Sequence, residues 1–129
     1  LEYLRRADVF VHPSRTPADG DKEGIPGALI EAMAAGLPVI STLHAGIPHV
    51  VENEVHGLLV PERNAAALGK AILRLAQNDE FRKTIARAGQ QHALHYLDVV
   101  EKEKELEDIY DALRERRSWK KKIKTQSNG

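Results

Sequence analysis

The sequence predicts an α/β fold: a parallel sheet with flanking helices, followed by a helical C-terminal half. Three observations point there. Short β-rich runs alternate with a helix signal in the first half of the chain. The connections between them are short, and strand–helix–strand in that order implies parallel pairing. Beyond Pro61, apolar residues recur at helical spacing.

The elements follow in chain order. Leu1-Glu2-Tyr3-Leu4-Arg5-Arg6 reads as the end of a helix. Val9-Phe10-Val11-His12 is a β-rich run that Pro13-Ser14 closes. Residues 24–27 form a turn, because Pro26 blocks the preceding helical turn and the glycines cost backbone entropy. Residues 28–35 are good helix formers, stopped by Gly36 and Pro38. Leu37-Pro38-Val39-Ile40-Ser41 is the second β-rich run. Gly57-Leu58-Leu59-Val60, closed by Pro61, is the third. Asn64 can cap a helix whose apolar residues are Ala65, Leu68, Ile72 and Leu75. Asp79 can cap the next, with Phe81, Ile85, Ala88, His92 and Tyr96 on one stripe. A third runs from about Asp98, with Leu106, Ile109, Tyr110 and Leu113 at i, i+3, i+4 and i+7, an apolar face expected to stand exposed. Residues 1–113 therefore read as one domain and residues 114–129 as a basic, flexible tail. From Arg114 to Lys124 that tail carries seven basic residues, one acid and Trp119. Such a run suits contact with anionic lipid, against the plainer reading of a solvated terminus.

Composition narrows the class. A chain of 129 residues buries one modest core. Formal net charge is zero, so bulk electrostatics supplies no attraction to nucleic acid. The absence of Cys excludes disulfide and thiolate chemistry and fits a cytoplasmic setting, with the inner membrane face as a possible peripheral location. No apolar run approaches membrane-spanning length.

The most informative stretch is Glu23-Gly24-Ile25-Pro26-Gly27-Ala28-Leu29-Ile30-Glu31. It places one carboxylate on a loop and a second about a turn into a helix. The helix N-terminus, with its unpaired N–H groups and partial positive charge, points between them and suits a phosphate. Carboxylates nearby suit sugar or ribose hydroxyls, so the stretch reads as a site for a sugar attached to a diphosphate. It follows the carboxyl end of the first strand, where parallel sheets collect ligands.

At these residues the chain resembles the C-terminal half of a retaining, GT-B-fold glycosyltransferase of family 4, the glycosyl transferases group 1 domain. The matching pieces are residues 7–14, residues 23–40, Gly46-Ile47-Pro48, and residues 52–61. The string from Asp19 to Pro26 is similar to the branch that builds bacterial exopolysaccharides of the colanic-acid type. The resemblance implies a partial, Rossmann-like C-terminal domain that binds a nucleotide diphosphate sugar without a metal or other cofactor. It implies that Glu23, the first acid of an E-x7-E motif, lies near the reacting sugar as the catalytic position. Glu31, the second acid, then binds the ribose, and backbone N–H groups of Ile25, Gly27 and Ala28 contact sugar and diphosphate beside Gly24. His12 ends the first strand facing the proposed cleft, and its residue type there fits a site-lining role and a plainly structural one equally. Pro26 replaces a commoner glycine and removes one N–H donor; His49 stands where an acid is frequent. The acceptor, a glycan or lipid-linked glycan, would be held by an N-terminal domain absent from this chain. The chain also lacks the Arg and Lys that clamp the diphosphate, and it starts without Met. It is therefore expected to be a fragment, inactive alone.

Competing readings are a nucleotide-sugar-binding module without transfer, and an interaction domain acting through the basic tail. Metal readings are weaker. Asp19-Gly20-Asp21 is a short, common pattern, and a calcium loop there would place Ile30 at its final ligand position. His92 and His95 lie one helical turn apart without an evident third ligand, and His44, His49 and His56 lack a metal-site spacing.

Overall fold

In the structure, a computed structural model, residues 6–13 and 27–127 are described, with side chains for residues 6–13 and 27–116. The β-rich runs form β1 (Phe10–His12), β2 (Val39–Thr42) and β3 (Leu58–Val60). Among the described residues the sheet has the order β1-β2-β3, and both pairings are parallel. Val11 pairs with Ile40 and Ile40 with Leu58, so β2 is hydrogen-bonded on both sides. All four of its residues are buried, as a strand covered on both faces requires.

Helix α1 (Gly27–Ala34) joins β1 to β2 and packs on both. Its end shows why Gly36 is needed. Leu37 donates its N–H to the Ala32 carbonyl and Gly36 donates to Met33, a Schellman closure with Gly36 in the left-handed region at φ 88°. A one-turn helix α2 (Ile47–Val50), which the sequence reading misses, follows β2. The available signal was Pro48 in its first turn, where a missing N–H does no harm.

Helix α3 (Ala65–Gln77) starts where expected: Asn64 Oδ1 accepts from the Ala67 N–H at 2.9 Å. Its buried stripe differs from the expected one. Ala71 and Leu75 are buried while Ile72 is 40% exposed. Both sets fit helical spacing; the small Ala71 is the residue that lets the helix approach the sheet.

Helix α4 (Asp79–Ser127) is continuous, where the sequence reading placed two helices and then a flexible tail. Residues 79–127 contain no Pro and a single Gly, so nothing in the backbone forces a break. Residues 114–127 continue the helix, and its cap is Asn78, whose Oδ1 accepts from the Phe81 N–H at 3.0 Å. Asp79 instead pairs with Arg82 at 2.6 Å.

Two compact units divide the chain at Leu94/His95. In the first, Ile40, Leu58, Val60, Ala71, Leu75 and Ile85 form a core against which Val9, Ala67, Leu68 and Phe81 pack. In the second, Leu106, Ile109, Tyr110 and Leu113 are exposed, as the sequence reading expects. Among the described residues no helix is long and apolar enough to cross a membrane.

Candidate functional site

Because β1 and β2 are parallel, the helix between them runs back along the sheet and begins at its carboxyl edge. That puts the α1 N-terminus beside the end of β1. Gly27 and Ala28 occupy the first turn and are exposed, with Glu31 exposed one turn further on the same face. The opposite face is held by Leu29, Ile30, Ala32 and Met33, all buried. The first-turn N–H groups have no partner within the helix, and no acid in that turn competes for them. Glu23, Gly24, Ile25 and Pro26, like Asp19-Gly20-Asp21, lie outside the described residues.

His12 is the last residue of β1 and is half-buried. Its ring stacks on Phe10, with centroids 6.2 Å apart, and its carbonyl accepts from Ser41 Oγ at 2.8 Å. Ser41 is fully buried, so this bond both satisfies its hydroxyl and fixes the end of β1 against β2.

Two features of this edge were not seen from the sequence. The first is an open cavity of about 330 Å³ between the ends of the strands and the start of α3, its lining including Pro13, Thr42, Val60, Pro61, Arg63 and Leu68. The second is a pair with one buried and one half-buried partner. His44, 2% exposed, meets Glu62 Oε1 through Nδ1 and ties the loop after β2 to the loop after β3. Each loop also holds a residue in the left-handed region, Ala45 at φ 48° and Arg63 at φ 56°. The only sequence cue was position: both histidine and glutamate follow strand ends, but their contact joins residues far apart in the chain.

The remaining histidines do not converge on a metal. His92 stacks on His56, with centroids 3.9 Å apart. Among the described residues, no three His, Cys, Asp or Glu side chains are grouped to hold an ion.

Parallel sheets in general collect ligands at the edge where α1 begins, and the class of this chain is a Rossmann-like α/β domain. The family model for glycosyl transferases group 1 matches residues 1–92, and the chain belongs to that family. It is 57% identical over 77 residues to the amylovoran biosynthesis glycosyltransferase AmsK of Erwinia amylovora, a match covering 60% of this chain and 19% of that protein. It is 54% identical over 87 residues to the putative colanic acid biosynthesis glycosyltransferase WcaL of Escherichia coli K12, covering 66% of this chain and 21% of that one. The chain thus spans about a fifth of the length of these relatives. Among solved structures it resembles Anabaena Alr3699/HepE in complex with UDP-glucose at a TM-score of 0.73. That likeness has 24% identity and covers 86% of this chain and 29% of the other. It bears out the expected GT-B-type architecture of parallel sheet, flanking helices and helical C-terminal half.

Proposed function

We propose that this chain is the donor-binding part of a retaining glycosyltransferase that transfers a hexose from a nucleotide diphosphate sugar to a growing polysaccharide or lipid-linked glycan. The observation that carries the reading is the exposed α1 N-terminus at the carboxyl edge of the sheet, with Glu31 on the same face one turn behind it. Family membership and relatives named for amylovoran and colanic acid biosynthesis support it. So does a fold neighbour solved with UDP-glucose. The N–H groups of Gly27 and Ala28 face the diphosphate, Glu31 takes the ribose hydroxyls, His12 lines the cleft, and Glu23 stands by the reacting sugar. Backbone N–H groups of this chain meet the diphosphate charge, with no divalent metal. The acceptor is held by a second domain, so the 129-residue chain alone binds donor without transferring it.

The test uses an enzyme that carries this chain together with its acceptor domain. Glu31→Ala will weaken donor binding about ten- to a hundredfold, the effect of losing one charge-assisted hydrogen bond of about 1.5–3 kcal/mol. Glu23→Ala will depress kcat more than binding. Calorimetric donor titration and steady-state rates in a chelating buffer read both. Wild-type behaviour in both variants sinks the assignment; binding without transfer by the intact enzyme leaves a recognition module.

We further propose a cytoplasmic enzyme that touches the inner membrane face through Arg114–Lys124, whose backbone continues α4. Vesicles rich in anionic lipid will retain the chain at low salt, neutral vesicles will not, and deletion after Leu113 will abolish retention. Equal partitioning of both chains would make the run a solvated end.

A further inference from the structure

His56 and His92 are far apart in sequence and meet ring on ring. Their centroids are 3.9 Å apart and their planes 9° from parallel. His56 sits in a tight turn before β3. Its N–H donates to the Glu52 carbonyl at 3.0 Å, and its Nδ1 accepts from the Glu52 N–H at 3.1 Å. The same turn is closed by the Glu54 N–H on the Gly57 carbonyl and by Asn53 Oδ1 on the Leu59 N–H. His92 lies on α4 beside Ala93, the last buried residue of that helix among those whose side chains are described.

The fit between turn and helix has no slack. A Cβ on Gly89 would stand 2.6 Å from the His56 carbonyl oxygen, so α4 lies directly on the backbone of the turn. From α1, Met33 reaches the same spot, and the Ala34 carbonyl accepts from Gln90 Nε2 at 3.1 Å. Neither of these titrates. Glu54 is engaged by Arg74. The titratable groups that act on His56 are therefore Glu52 in its own turn and His92 across the stack.

We propose that His56 and His92 form a proton-sensitive clasp that fastens the turn of α4 around His92 to the turn before β3, and that protonation opens it. A neutral His56 ring accepts the Glu52 N–H through Nδ1, with its own proton on Nε2. A protonated ring is a donor at both nitrogens and loses that bond. It also sets a positive charge face to face with a second imidazole. Burial is the main cause that pushes the His56 pKa below its ordinary 6.5, His92 lowers it further, and Glu52 opposes both. The folded chain thus binds the proton less readily than the unfolded chain. The stabilisation is complete above pH 6.5 and is lost as pH falls through the folded value.

The test compares the chain with two variants from pH 8 to pH 5. His56→Asn keeps an acceptor for the Glu52 N–H and cannot titrate; His92→Phe keeps a flat ring and cannot charge. Hydrogen exchange is read for residues 85–94, normalised at each pH to residues 65–77 of α3. In the wild type the normalised protection of 85–94 will fall about tenfold for each unit of pKa depression. His56→Asn will flatten that fall. His92→Phe will shrink it and move the His56 ring titration upward. The clasp is refuted if His56→Asn keeps the full loss, or if protection falls equally in α3. Should either variant fail to fold at pH 8, ring titration of the wild type decides: a depressed His56 supports the clasp, and an ordinary value overturns it.

Discussion

Ile40→Ala will destabilise the first compact unit by about 2–5 kcal/mol, the range for deleting a large buried aliphatic side chain whose site cannot collapse. Ile40 is fully buried on β2 and packs in one cluster with Leu58 and Val60 of β3, Ala71 and Leu75 of α3, and Ile85 of α4. Its strand is hydrogen-bonded on both sides, so the backbone cannot move inward to fill the space. The sheet, α3 and α4 therefore lose contacts at once. Urea unfolding followed by circular dichroism will show the midpoint fall. Leu106→Ala, at a site 66% exposed, will leave it nearly unchanged. Equal midpoints for wild type and Ile40→Ala would mean that this cluster is not the core.

Gly57→Ala will cost about 1–3 kcal/mol or more, although only one methyl group is added. Its Cβ would stand 2.7 Å from Val39 Cγ2, 2.9 Å from the Val39 carbonyl oxygen and 3.3 Å from Val51 Cγ1. Val39 is β-branched and stiff at χ1, and its carbonyl belongs to the central strand, so neither neighbour gives way cheaply. Gly57 is thus present for close approach and not for an unusual φ. Gly69→Ala is the control: nothing lies within 4 Å of its Cβ, and a helix interior prefers alanine. Thermal unfolding will lower the midpoint for the first variant and hold or raise it for the second. A neutral Gly57→Ala would show that β2 and the turn before β3 are farther apart than described.

Much of this was legible in the residues. The β-rich runs, the Gly36 stop and the Asn64 cap each act through local sterics or a hydrogen bond three residues long, so they were readable in order. Parallel pairing followed because a helix between two strands leaves no short return. That Glu31 lies about a turn into α1 was equally plain, whereas the split of that helix into an exposed face with Gly27, Ala28 and Glu31 and a buried one came from the structure. Ile72 and Ala71 were not separable, because periodicity allows either stripe and only the distance to the sheet selects one. The expected break near Asp98 was not there either: a polar, Pro-free run carries no stop signal, and a change in apolar spacing was mistaken for one.

By itself the sequence determined the order of the three strands and of α1 between the first two, their parallel arrangement, the helix N-terminus with its carboxylate, and the family to which the motifs belong. Those are consequences of backbone preference and local patterning. Tertiary structure alone decided that His44 meets Glu62, that His56 stacks on His92, and that Gly89 and Gly57 stand where no side chain fits. Each of these joins residues from separate elements, and their chemistry depends on distances of a few tenths of an ångström that chain folding, and no local rule, sets.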